Sequence, residues 1–247
     1  MKTILITGAT SGIGKATAIA LSEKKYKLIL CGRNRSVLEQ LKQNLGTKVH
    51  VCCFDVRDKN EVFNQIQNLP DEFQHIDILV NNAGNAHGLA TFDQADLEDL
   101  EAMIDINIKG LIYVTKAVLP LMPINSESHI INISSVAGKE VYLNGTTYCA
   151  SKFAVEALTK GMRIDLQPLG IKVTGIAPGA VETNFSLTRF KGNLERAEKV
   201  YEGYQPLTAE DVSNAIVFAI EQPHHVQIAD ITIFPKAQAS ATNILRN

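Results

Sequence analysis

The sequence predicts an α/β protein: a doubly wound parallel sheet of about seven strands flanked by helices, in one domain spanning residues 1–247. Three observations lead there. Short β-rich runs alternate along the chain with longer stretches of helical period. The runs are apolar throughout rather than at every second residue, so both sheet faces must be covered, as in parallel sheets between helical layers. A chain of 247 residues with 45% hydrophobic content can bury one large core, and no internal repeat, low-complexity tract or Pro/Gly/Ser-rich linker marks a boundary within it.

In order, the run TILIT precedes a helix over 13–24, KLILC one over 35–45, VHVCCF one over 58–68, and DILVN one over roughly 96–122. HIINIS leads into the helix that holds Tyr148. KVTGIA leads into a long irregular stretch over about 179–207, and connections of that length in compact domains are usually functional or mobile. TAEDVSNAIVFAIE is a helix with Thr208 as N-cap, because a hydroxyl there accepts an otherwise unpaired backbone N–H. DITIF is the last strand.

The formal net charge of −2, with Lys and Arg spread along the chain, argues against nucleic acid or an anionic membrane as partner and favours a small polar ligand. Cys31, Cys52, Cys53 and Cys149 show no CxxC spacing and join no histidine cluster, so neither a metal site nor a disulfide framework is indicated. The N-terminal apolar run is too short for a signal peptide, and nowhere do about 18 apolar residues follow one another. A soluble, cytoplasmic protein is expected.

TGATSGIG, from Thr7 to Gly14, follows the first strand and opens the first helix. Glycines there let the backbone approach a phosphate while free N–H groups point at it. At the end of the second strand, CGRNR places Arg33, with Arg35 nearby, where a dinucleotide fold meets the adenosine ribose. A guanidinium fork suits a 2′-phosphate, so NADP(H) is expected over NAD(H). Asp55, after the third strand, could reach the adenine amino group or cap the next helix.

Four residues along a helix turn the side-chain direction through about 400°, so Tyr148 and Lys152 share a face. Hydride transfer to a carbonyl leaves an alkoxide that needs a proton. A phenol titrating at about 10 serves poorly at neutral pH unless a neighbouring cation stabilises its phenolate. Ser134 and Ser135 end a strand at the carboxyl edge, where doubly wound sheets bind ligands, and a hydroxyl there could orient a carbonyl. DILVNNAG brings Asn81 and Asn82 to a second strand end. MIDINIKG places Asn107 inside a helix, where Asn is not favoured.

Taken in order, TGATSGIG, NNAG, the Asn of NIKG, a Ser thirteen residues before Tyr, YCASK as Y-x-x-x-K, and Pro178-Gly179 resemble the short-chain dehydrogenase/reductase family from Thr3 to about residue 235. The resemblance implies a Rossmann-like fold and a catalytic tetrad of Asn107, Ser135, Tyr148 and Lys152. In that family the tyrosine is the acid or base and the serine holds the substrate oxygen. The lysine binds the nicotinamide ribose and lowers the tyrosine pKa, and the asparagine supports a water in the proton relay. Ser135, rather than Ser134, has the family's spacing to the tyrosine. Cofactor contacts carried over are Gly8, Ser11, Gly12, Ile13 and Gly14 of the glycine turn, then Arg33, Asp55 and Asn82, then Tyr148 and Lys152, and finally Pro178, Gly179, Val181 and Thr183. A homotetramer through the helices at about 96–122 and 148–166 and the C-terminal segment is also implied.

The stretches NFSLTRFKGNLERAEKVYEG, PLTAEDVSNAIVFAIEQP and HHVQIADITIFPKAQASAT resemble the branch that includes NADP-dependent 3-hydroxy acid and serine dehydrogenases. This resemblance implies a small β-hydroxy acid, such as 3-hydroxypropionate, 3-hydroxyisobutyrate, serine or allo-threonine, or a carbonyl counterpart. A broader carbonyl or β-ketoacyl reductase and a non-catalytic NADP-binding regulatory protein are the alternatives. A carboxylate substrate needs a cation. Arg189, in the long loop, is the candidate for substrate binding alongside Ser135 and Tyr148, unless it is merely exposed or pairs with Glu195 or Glu198.

Overall fold

The computed structural model describes residues 1–124 and 127–247. Strands β1 (Thr3–Thr7), β2 (Lys27–Gly32), β3 (Val49–Cys53), β4 (Ile78–Asn81), β5 (His129–Ile133), β6 (Lys172–Pro178) and β7 (Asp230–Ile233) form one parallel sheet in the order β3-β2-β1-β4-β5-β6-β7. The direction of winding reverses between β1 and β4, so the connections leave a crevice at the strands' carboxyl ends.

Successive strand residues point to opposite faces, which divides each apolar run between two cores. Ile4 and Ile6 meet α1 (Gly12–Glu23), α2 (Arg35–Asn44) and α9 (Ala209–Ile220) through Leu21, Leu38 and Ile216. Leu5 faces the other way, toward α3 (Lys59–Gln67) and α5 (Leu111–Val118), through Val62, Ile66 and Val114. Each fully buried aliphatic side chain contributes about 1.5–3 kcal/mol, so the two cores dominate stability. Of the two edge strands, β3 is largely buried, whereas the residues of β7 alternate exposed and half-buried. Among the described residues, no helix is long and apolar enough to cross a membrane.

Helix starts follow their caps. Asn34, Asp58 and Thr208 each accept a backbone N–H of the first turn, and Asp211 returns a bond to Thr208 to complete a capping box.

Two expectations need correction. The helix expected over roughly 96–122 is α4 (Leu97–Ile104), a π-helical turn over Asp105–Gly110, and then α5. The stretch at 179–207 is not wholly irregular, since it holds α7 (Asn184–Arg189) and α8 (Leu194–Lys199). Helices this short are marginal alone. Here Thr183 and Asn193 cap them, and the Tyr201 hydroxyl bridges Ser186 and the Val181 carbonyl.

A row of buried amides and hydroxyls crosses the sheet. Asn81 Nδ2 donates to Thr115 on α5 and to Asn132 on β5, and Asn132 Nδ2 donates to Thr159 on α6 (Thr146–Asp165), each at 2.9 Å. These bonds fix α6, and with it Tyr148, in rotation about its own axis. A buried polar atom left unpaired is costly, so a rotated helix is disfavoured.

His129 on β5 is also buried, with Nε2 2.8 Å from the Thr174 hydroxyl. Burial lowers its pKa from 6.5 to about 3, with Lys172 and Lys2 adding to the effect. The unfolded chain therefore takes up a proton that the folded one refuses. The resulting penalty is absent above pH 6.5 and grows as pH falls toward the folded value. From about one pH unit below 6.5 down toward the folded value, urea unfolding of the native protein is expected to lose ~1.4 kcal/mol per pH unit more than His129→Gln. Parallel pH slopes for the two proteins would refute this.

Candidate active site

A cavity of about 570 Å³ opens at the carboxyl edge of the sheet, over the point where the winding reverses. Its floor is the glycine turn. Gly8 and Gly12 have φ of 67° and 50°, values that side chains rarely allow. Ser11 leads into α1 with extended backbone and forms no side-chain cap, so the first amides of a twelve-residue helix face the cavity beside Gly12 and Ile13. Gly14 is needed for space, because a Cβ there would stand 2.5 Å from Asn82 Nδ2 and closer still to the Gly8 carbonyl oxygen.

Asn82 and Thr7 hold that turn. Asn82 Nδ2 donates to the carbonyls of Thr7 and Gly8 at 2.9 and 3.3 Å, and Thr7 Oγ1 accepts from the Asn82 and Ala83 amides. Asn82 therefore acts on the backbone beneath the cavity as well as bordering it.

Arg33 borders the cavity at the end of β2 with its side chain two-thirds exposed, at 67%. Asp55 also borders it. Its carboxylate is engaged by the Arg57 guanidinium at 2.7 Å, which outweighs the cost of burial and holds its pKa below the usual value. The cap of α3 is Asp58, not Asp55. On the far side stand Pro178, Gly179, Val181 and Thr183, with the Thr183 methyl packed close to Gly12.

Ser135, Tyr148 and Lys152 come together in the same cavity. Lys152 is buried and donates to the Ile133 carbonyl at 3.0 Å, with Nζ 6.0 Å from the Tyr148 ring centroid. Burial lowers its pKa to about 8, opposed by Glu156 one turn further along, so at neutral pH it is mainly an ammonium. Burial raises the Tyr148 pKa above the ordinary phenol value, and Tyr142 adds to the rise. The Ser135 hydroxyl and Arg189 act in the opposite direction. Of the two adjacent serines, Ser134 is buried and turns back to the Lys152 carbonyl, whereas Ser135 accepts the Ala137 amide and borders the cavity with Tyr148, whose pKa its hydroxyl lowers.

Asn107 sits in the π-helical turn, buried, a place where such turns often mark function. Its Nδ2 donates to the Asn85 carbonyl and to Ser151 at 2.8 and 2.9 Å, and its Oδ1 accepts from the Asn85 amide. Gly84 lets this strut close: a Cβ there would lie 3.0 Å from Asn107 Oδ1 and 3.3 Å from Lys152 Nζ.

Residues 2–193 match the family model described as short chain dehydrogenase. The chain belongs to the short chain dehydrogenase family. It is 39% identical over 250 residues to an NADP-dependent 3-hydroxy acid dehydrogenase of Schizosaccharomyces pombe, covering 99% of this chain and 96% of that one. It is 42% identical over 239 residues to a serine 3-dehydrogenase of Rhizobium radiobacter, covering 97% and 96%. Among solved structures it is similar to the closed form of a serine dehydrogenase complexed with NADP+, with a TM-score of 0.94 at 41% identity, covering 99% and 100%.

Within this short chain dehydrogenase, Arg189 ends α7 and faces the phenol. Its Cζ lies 5.7 Å from the ring centroids of both Tyr148 and Tyr142, and its Nε donates to the Gly88 carbonyl rather than pairing with Glu195 or Glu198. Thus the cation whose charge opposes the rise of the Tyr148 pKa is Arg189. Sequence reasoning missed Phe185, whose ring centroid is 5.7 Å from that of Tyr148, and Gln238, whose Oε1 accepts the Ala180 amide at 2.8 Å. Contacts across 37 and 58 positions leave no local signal in a single sequence.

Proposed function

We propose that this protein is an NADP-dependent oxidoreductase that transfers a hydride between the cofactor and the CH–OH carbon of a small hydroxy acid or its carbonyl counterpart, of the 3-hydroxy acid or serine/allo-threonine type. The observation that carries the acid specificity is the Arg189 guanidinium, 5.7 Å from the centroid of the Tyr148 ring. A cation beside the proton-transferring phenol is placed to hold a carboxylate while the hydroxyl a few bonds away meets that phenol. The names of the similar proteins agree with a hydroxy acid and NADP.

The residues fit the cofactor. The uncapped start of α1 and the glycine turn offer N–H groups to a pyrophosphate, and Arg33 offers a fork to a 2′-phosphate. When bound, NADP(H) supplies or accepts the hydride at its nicotinamide. Ser135 holds the substrate oxygen, and Tyr148 gives or takes the proton there. The Lys152 ammonium binds the ribose hydroxyls and places positive charge behind the phenol. Asn107 braces the Asn85 segment against α6 and supports the water of the relay.

A panel of β-hydroxy acids, assayed with NADP+ and NAD+ side by side, tests this reading. Reduction of NADP+ in preference to NAD+ is expected, with free acids turned over better than their acyl thioesters. Arg189→Met is expected to raise KM for the acids by about 10-fold or more, since a charge-assisted bidentate contact is lost, with a smaller change in kcat. An unchanged KM would remove Arg189 from the proposal, and a preference for neutral alcohols or thioesters would remove the acid specificity.

A further inference from the structure

A second, smaller hollow of about 40 Å³ shares Tyr148 and Arg189 with the main cavity and is bordered by His87, Asp99 and Asn144. Two polar atoms in its surroundings, His87 Nε2 and Asn144 Oδ1, are buried and have no hydrogen-bond partner. Buried polar atoms are nearly always satisfied, so two unsatisfied ones at one hollow point to an occupant that supplies the missing bonds. The volume suits a single group of about the size of one water, not a carboxylate.

The lining indicates which group. Asn144 Oδ1 can only accept. Asp96 and Asp99 bring two carboxylates to the hollow against one guanidinium, and the Nε of that guanidinium is already committed to the Gly88 carbonyl. Lys191 is 2.9 Å from Asp99 and 3.7 Å from Asp96 and neutralises part of their charge. Burial lowers the His87 pKa, so its ring is neutral at pH 7 and does not repel a cation. Arg189 and Lys191 together balance the two carboxylates, so what selects the occupant is the unpaired Asn144 Oδ1 and the unpaired His87 ring nitrogen, which call for a small donor such as an ammonium.

We propose that this hollow is the subsite for the α-ammonium of the substrate, which makes the preferred substrate class 3-hydroxy-2-amino acids such as serine rather than unsubstituted 3-hydroxy acids. The inference rests on the oxidoreductase reading above. In such a substrate the carbon between the hydroxyl-bearing carbon and the carboxylate carries the amine. Tyr148 and Arg189, which take the two ends, both border the hollow. Asn144 suits the position sterically as well, because its φ of 65° falls in the left-handed region that Asn tolerates better than most residues.

The test compares L-serine with 3-hydroxypropionate, which lacks only the ammonium, using NADP+ and the full-length protein. The parent enzyme is expected to favour L-serine in kcat/KM. Asn144→Gly, which keeps the backbone conformation accessible, and His87→Leu are each expected to lower the serine-to-3-hydroxypropionate ratio of kcat/KM by about 10-fold or more, the loss typical of a hydrogen bond to a charged group. Having two variants guards against one of them failing to fold. A ratio unchanged in the folded variants overturns the subsite. Turnover of 3-hydroxypropionate but not L-serine by the parent overturns it while leaving the hydroxy acid reading intact, and turnover of neither overturns both.

Discussion

Tyr148→Phe is expected to lower kcat for hydroxy acid oxidation by about 10²- to 10⁴-fold, the usual contribution of a positioned proton-transfer group. The substitution removes one oxygen from a buried ring that packs 5.7 Å from Phe185, so its volume and its contacts with α7 are retained. Thermal stability should therefore hold, and NADP+ affinity should change little, because the glycine turn and Arg33 lie at the other end of the cavity. In the proposed mechanism the loss belongs in kcat, since Ser135 and Arg189 would still hold the substrate while its proton would have no acceptor. Steady-state kinetics together with a cofactor titration checks this. A kcat within about twofold of the parent would remove Tyr148 from the chemistry and the proposed mechanism with it.

Gly14→Val is expected to damage both folding and cofactor binding. The added Cβ falls 2.5 Å from Asn82 Nδ2 and closer to the Gly8 carbonyl oxygen, which is backbone and cannot rotate away. Either α1 shifts off the sheet or Asn82 loses its bonds to Thr7 and Gly8. Overpacking of this kind costs about 1–3 kcal/mol, which for a chain of this size lowers Tm by several degrees. The same shift moves the first amides of α1, so NADP+ affinity should fall by about 10-fold or more. Calorimetry with and without NADP+ separates the two effects. A variant with parental Tm and parental affinity would show that the turn has room the geometry denies.

Much of the fold was legible because its signals are local. Apolar runs at strand length, helical periodicity and caps such as Thr208 are decided by near neighbours, and the observed strands follow them closely. The ordered motifs likewise pointed to Ser135, Tyr148, Lys152 and Asn107, and the structure brings Ser135, Tyr148 and Lys152 into one cavity, with Asn107 bracing its wall. The π-helical turn was not legible: it holds Asn107, whose side-chain amide bonds to Asn85 and Ser151, and those partners lie 22 and 44 positions away. The helices α7 and α8 were missed for a related reason, since their length alone would not sustain them without Tyr201 and the caps.

The sequence by itself determined the sheet, the alternation of layers, the glycine turn and the phenol and ammonium one helical turn apart, because spacing along a strand or helix translates directly into direction in space. Tertiary structure alone decided that Asn82 supports the turn beneath the cavity, that Arg189 approaches Tyr148 while bonded to Gly88, and that His87 and Asn144 leave two polar atoms unpaired beside them. Those facts depend on burial and on distances between segments far apart in the chain, and neither quantity is carried by local spacing.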